Sequence, residues 1–157
     1  MKPPVVIGIG NSLRSDDGVG CRAARILEAS VQPETAQVAE CQQLMPELAA
    51  SIEGAPLVVF LDAAVNDPPG RVRSRRLQPE NPGAWSHILS PAQLLALARQ
   101  INGTAPPAFL VTGGVQTIGF GDRLSPQGEH CAQRMSARAR ALLLANWNSA
   151  AAARVPR

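Results

Sequence analysis

Pro4-Val5-Val6-Ile7-Gly8-Ile9-Gly10-Asn11-Ser12-Leu13-Arg14-Ser15-Asp16-Asp17-Gly18-Val19-Gly20 is the stretch that decides the fold. Its opening, Pro4 to Ile7, is an apolar run with strand character. Beyond it, Val19, Ala23, Ile26 and Leu27 recur at helical spacing, with Arg22, Arg25 and Glu28 on the opposite side. A strand, a tight loop and a helix make the first half of a βα unit. Between Gly8 and Gly20 stand four glycines and two adjacent aspartates. Glycine permits a sharp turn or a close backbone approach, and aspartates are favoured at a helix N-terminus, so the plainest reading is a capped βα loop. Two nucleotide motifs fail here. A dinucleotide fingerprint needs Gly-x-Gly-x-x-Gly, and the third position is Leu13. A P-loop needs Gly-Lys-Ser/Thr, and the chain holds no Gly-Lys pair. Two carboxylates at the loop's end would repel a pyrophosphate and suit a cation or a proton-transfer role.

Working outward, the first helix is expected from about Asp17 to Ser30 and a second strand around Ala36 to Glu40. Pro46 opens a short helix with Leu48, Ala49 and Ile52, which Gly54 ends. Leu57-Val58-Val59-Phe60-Leu61 is apolar on both faces, as a buried parallel strand must be, and Asp62 stands immediately after it. Asp67-Pro68-Pro69-Gly70 is a turn, and the alternating, charged Arg71 to Arg75 reads as an antiparallel edge strand. Ser90-Pro91 pairs an N-cap with a first-turn proline, ahead of a buried face of Leu94, Leu95, Leu97, Ala98 and Ile101. Ala108 to Thr112 is a further buried strand, and Ser125-Pro126 starts the last helix. The tail from about residue 146 is expected to fray. The order predicts an α/β fold: a three-layer sandwich with a mostly parallel, twisted sheet of about five strands and helices on both faces. In such sheets ligands bind beyond the carboxyl ends of the strands, where strand order reverses. If the first strand lies beside the third, Asp16, Asp17 and Asp62 meet there.

A chain of 157 residues is read as one domain spanning 1–157. Apolar residues make up 45% and aromatic ones only 3%, so Ala, Val and Leu must do the packing. No apolar run approaches the roughly 20 residues of a membrane span, and the Lys-Pro-Pro lead is not a signal peptide. Cys21, Cys41 and Cys131 are widely spaced without a Cys-x-x-Cys pair, which indicates neither a zinc site nor a disulfide framework and suggests a cytoplasmic protein. The net charge of +3 comes from arginine clusters at 71–76 and 134–140 and from Arg154 and Arg157. With no interleaved aromatic platform they read as a solvated basic face, not a nucleic-acid surface.

His87 lies in the loop before the Ser90-Pro91 helix. Two carboxylates and an imidazole form a mixed oxygen and nitrogen donor set that nickel, zinc, manganese or iron would accept; isolated aspartates after strands also serve as helix caps, and a loop histidine is often simply solvated. A cysteine nucleophile would need a base, which here means Cys41 meeting His87. No Gly-x-Ser-x-Gly elbow is present.

Gly8 to Gly20 resembles the signature of the nickel–iron hydrogenase maturation endopeptidases. Val58-Val59-Phe60-Leu61-Asp62-Ala63, the segment Ser86 to Pro91 with the helix after it, and Phe109 to Val115 followed by Gly121 to Pro126 resemble further parts of that family in the same order, across roughly residues 5 to 145. The resemblance implies an endopeptidase that removes the C-terminal peptide from the precursor of a NiFe hydrogenase large subunit after nickel insertion. It implies that Asp17, Asp62 and His87 contact the nickel, an ion supplied by the substrate for which other divalent ions can substitute, and that these three are the catalytic set. Asp16 is then a non-ligating neighbour that caps the first helix or orients Asp17. The chain departs from many members at Glu40-Cys41-Gln42-Gln43, where they carry a Gly-Gly-Thr-type turn. Two other classes share the pattern: a non-hydrolytic α/β ligand-binding module, and a chaperone-like module that binds the precursor without cutting it. Neither a nucleic acid nor a membrane is an expected partner.

Overall fold

Strand β1 (Val5–Ile9) is buried along its whole length, as its unbroken apolar run requires of a strand covered on both faces. It is the second strand of a five-stranded sheet in a computed structural model that describes residues 2–152. The other elements are α1 (Val19–Glu28), β2 (Gln37–Cys41), α2 (Leu48–Ser51), β3 (Val58–Ala64), β4 (Val72–Leu77), α3 (Pro91–Asn102), β5 (Ala108–Gly114) and α4 (Pro126–Ala152), with a 3₁₀ turn at Ser15–Gly18. The strand order is β2-β1-β3-β5-β4. β1, β2, β3 and β5 run parallel, and β4 pairs antiparallel with β5. The charged alternation of β4 therefore marks an edge strand, as its sequence predicts.

Helices cover both faces. α1 and α4 pack over Val6, Val59, Leu61 and Val111, while α2 and α3 pack over Val5, Ile7, Val58, Phe60 and Leu110. Successive strand residues thus feed opposite cores. Arg22 of α1 grips Glu129 of α4 at 2.7 Å, holding the two helices together. α3 begins as its sequence demands: the Ser90 hydroxyl accepts from the Gln93 N–H, the Gln93 side chain accepts from the Ser90 N–H, and Pro91 occupies the first turn.

Three details differ from the sequence expectation. The α-helix begins at Val19, behind the 3₁₀ turn, with Gly18 at its N-cap and no side chain capping it. β3 continues past Leu61 to Ala64 because β5 offers a ladder as far as Gly113 and Gly114, so Asp62 sits inside the strand. α4 runs on through 146–152, where alanines favour helix; residues 153–157 of the expected frayed tail, with Arg154 and Arg157, lie outside the described residues. Several arginines of the basic face act as fasteners of the edge strand. Arg134 donates to the Gly70 carbonyl, Arg138 to the Ser74 hydroxyl, and Arg73 pairs with Asp67 at 3.2 Å.

Candidate active site at the carboxyl rim of the sheet

From β1 the chain moves outward to β2 and later returns to the other side of β1 as β3. The order reverses there, so the crevice beyond the carboxyl ends of β1 and β3 is where this topology places a ligand. The loop after β1 fills one wall. Gly10 has φ +147°, and the Asp17 carbonyl occupies the space that a side chain at Gly10 would need. The loop thus folds back on itself, and the Asn11 N–H donates to Asp17 Oδ2 at 2.9 Å. Asp17 is half-buried.

Asp62 forms the other wall. It alternates with Val58 and Phe60, so its side chain lies on the α2/α3 face. Its Oδ1 accepts from the Ala63 N–H at 2.8 Å. Burial pushes its carboxyl up to about 6; the nearby charge of Asp17 adds to the rise and the Ala63 hydrogen bond opposes it. The turn that carries Asp17 packs against β3, so the loop after β1 borders the end of the strand that holds Asp62.

Asp16 has a different fate from its neighbour. It is buried, and its two oxygens accept from the Ser125 N–H and the Ser125 hydroxyl, both at 2.7 Å. The Ser125 hydroxyl accepts in turn from the Gly128 N–H at 3.0 Å. A side chain at Gly128 would collide with Asp16 Oδ1, so glycine is what lets the carboxylate seat against the first turn of α4. Of the two roles expected for Asp16, capping α1 is corrected: it serves the start of α4 instead.

His87 is exposed, in the segment between β4 and α3. The Leu89 N–H donates to the Leu44 carbonyl at 2.9 Å, an antiparallel bridge that ties this segment to the chain leaving β2. The Ser86 hydroxyl donates to the Ile88 carbonyl and so shapes the turn that carries His87. His87 is thereby held on the same rim as the acids, but no group of three His, Cys, Asp or Glu side chains able to hold a metal ion is formed among the described residues. His130 is exposed on α4.

Cys41 ends β2 in register with Ile9. Burial, reinforced by the charge of Asp62, pushes its thiol up to about 11, and burial does the same to Cys21. Burial thus disfavours the thiolate form at both positions. Thr112 is the residue that sequence reading passed over. It is the register partner of Asp62, and Arg73 pairs with it from the other side. Asp62, Thr112 and Arg73 therefore form one row across three strands on the same face. That row exists only once β3, β5 and β4 are known to be neighbours.

By sequence, no family model and no curated protein matches the chain. Solved structures do match in fold over nearly its whole length. The hydrogenase maturating endopeptidase HybD from E. coli superposes with a TM-score of 0.74 at 23% identity, covering 90% of this chain and 92% of its own. The [NiFe] hydrogenase maturation protease HycI from Thermococcus kodakarensis gives 0.72 at 22%, covering 90% and 92%. The hydrogenase 2 maturation peptidase from Thaumarchaeota archaeon SCGC_AB-539-E09 gives 0.68 at 21%, covering 90% and 98%. The chain thus has the three-layer α/β fold of the hydrogenase maturation endopeptidases.

Proposed function

We propose that the chain is a hydrogenase maturation endopeptidase that removes the C-terminal peptide from a nickel-loaded precursor of a NiFe hydrogenase large subunit. The observation that carries this reading is a fold that matches those endopeptidases over nine-tenths of the chain, with the turn holding Asp17 packed against the strand holding Asp62 at the switch point. Asp17, Asp62 and His87 are the residues that would grip the nickel presented by the precursor. Two acidic oxygens and an imidazole nitrogen are donors that a borderline divalent ion accepts.

In this reading the histidine closes the set only when substrate arrives. The two acids wait at the rim, and the exposed His87 turn approaches the ion from the side of β2. Holding the ion fixes the precursor's C-terminal segment against the rim, which supplies the orientation that peptide hydrolysis needs. A carboxylate that ionises around pH 6 is also suited to take a proton from an attacking water near neutral pH. A nickel ion beside that water would lower the water's own pKa.

The test is a cleavage assay on the precursor, with and without nickel, read by the change in its size. Nickel-dependent shortening supports the proposal. A wild-type protein that leaves the nickel-loaded precursor intact overturns the protease reading; if it still binds the precursor, it is a binding module, and if it binds neither, the partner is wrong as well.

A further inference from the structure

Phe120 is one of three phenylalanines. Phe60 lies wholly inside the core, whereas Phe120 is 93% exposed on the loop after β5. That loop is tightly held. The Gly121 N–H donates to the Leu13 carbonyl and the Ser15 N–H to the Gly121 carbonyl, both at 2.9 Å; the Asp16 N–H donates to the Thr117 carbonyl at 2.8 Å. The Ser15 hydroxyl donates to the Gly119 carbonyl, also at 2.8 Å. Both chain neighbours of Phe120 are thus fixed to residues 13–15, immediately ahead of Asp17. Ser15 is held at φ +52°, a strained value for a residue with a side chain, and these bonds maintain it. Leu13, on the same segment, is 55% exposed.

We propose that Phe120, with Leu13 beside it in the paired loops, is the apolar anchor by which the chain grips the folded precursor. This rests on the function proposed above. A large aromatic on a stiff support loses little freedom on binding and gains its whole apolar surface. Val65, Trp85 and Ile88, on other loops, are each about half exposed as well. Charges near Phe120 are mixed, with Arg14 and Arg123 set against Asp17 and Asp122, so no field of one sign exists for a phosphate backbone to follow. Because the anchor is bonded to the Asp17 loop, seating Phe120 on the precursor also fixes where Asp17 meets the substrate.

The experiment compares wild type, Phe120→Ser, Phe120→Leu and Ile101→Ser in precursor cleavage and in direct precursor binding. Ile101, expected on the buried face of α3, is instead 64% exposed because it lies at the far end of the helix, on the opposite rim. The expected result is a KM and a Kd raised at least 10-fold by Phe120→Ser with kcat within about 2-fold, substantial recovery in Phe120→Leu, and no change in Ile101→Ser. Phe120 makes no core contact, so the variant's unfolding midpoint should match wild type. If wild type cleaves and Phe120→Ser keeps the wild-type KM, the anchor is refuted while the protease reading stands. If wild type neither cuts nor binds the precursor, both fall. If Phe120→Ser changes the sedimentation of the enzyme alone, the side chain is a self-association contact and the anchor is refuted.

Discussion

The two sides of the candidate site are built to opposite standards. On the acid side, residues 10–18 are bonded to one another and to the loop after β5, and Asp16 is locked to Ser125. On the histidine side, residues 79–89 form an irregular, largely exposed segment tied to the chain beyond β2 at Leu89 and to α3 at Glu80, and shaped locally by Ser86. The acid loop is held by its own bonds, and the His87 side chain stands exposed. Under the proposed function, the contrast separates the two acids from a histidine that does not form a metal-binding group with them among the described residues. A site finished by its substrate would look this way, because the cost of bringing like charges together is met by the fold and the last donor costs little to move.

The contrast can be broken most severely at the acids. Asp17→Asn and Asp62→Asn should each lower kcat/KM for nickel-dependent precursor cleavage by on the order of 10²–10³-fold, measured by the rate at which the shortened product appears. His87→Ala should cost less, roughly 10–100-fold, because the two acids still hold the ion. If His87→Ala proved as damaging as Asp17→Asn, the two sides would not differ as described.

Next in size is the stability of the acid side. Asp16→Ala removes two hydrogen bonds to a buried carboxylate and should destabilise the fold by about 2–3 kcal/mol, read as a lower midpoint in urea. Ser125→Ala should cost about 1–2 kcal/mol. Equal and negligible losses would mean that the acid loop is not held as tightly as its bonds indicate.

The smallest effect sharpens the comparison through pH. Asp62 has a folded-state pKa of about 6, above the value of 3.8 for an unperturbed aspartate. The folded state therefore keeps this proton longer than the unfolded chain does. Stability falls as pH rises through that interval, and the full penalty is present above about 6. Asp62→Asn should accordingly raise the unfolding free energy at pH 8 by on the order of 1 kcal/mol, while losing activity. Below pH 4, where both forms are protonated, the difference should vanish. Thermal unfolding of the two proteins at pH 3.5 and pH 8 provides the measurement, and a gap that does not depend on pH would sink the assignment of a strained charge to this position.

Much of the fold was legible because its signals are local. The unbroken apolar runs at β1 and β3, the charged alternation of β4 and the two Ser-Pro helix starts each specify their element from a few neighbouring residues. The division of labour between Asp16 and Asp17 was not legible. Both are acids ahead of a helix, and what separates them is Ser125, 109 residues away. The position of Asp62 inside β3 depended in the same way on the ladder offered by Gly113 and Gly114. The row of Asp62, Thr112 and Arg73 required knowing that β5 lies between β3 and β4. A role for His87 has no local signature at all, since a loop histidine reads the same whether it is solvated or waiting for a metal.

The clasp between Asp16 and Ser125 also says something about when the protein becomes competent. A growing chain emerges with both aspartates first, and the hydroxyl that seats Asp16 is made 109 residues later. Until the start of α4 arrives, the acid loop lacks its clamp, and the long closure between the two must be made late. The order of translation thus keeps an unfinished chain from presenting a finished acid loop.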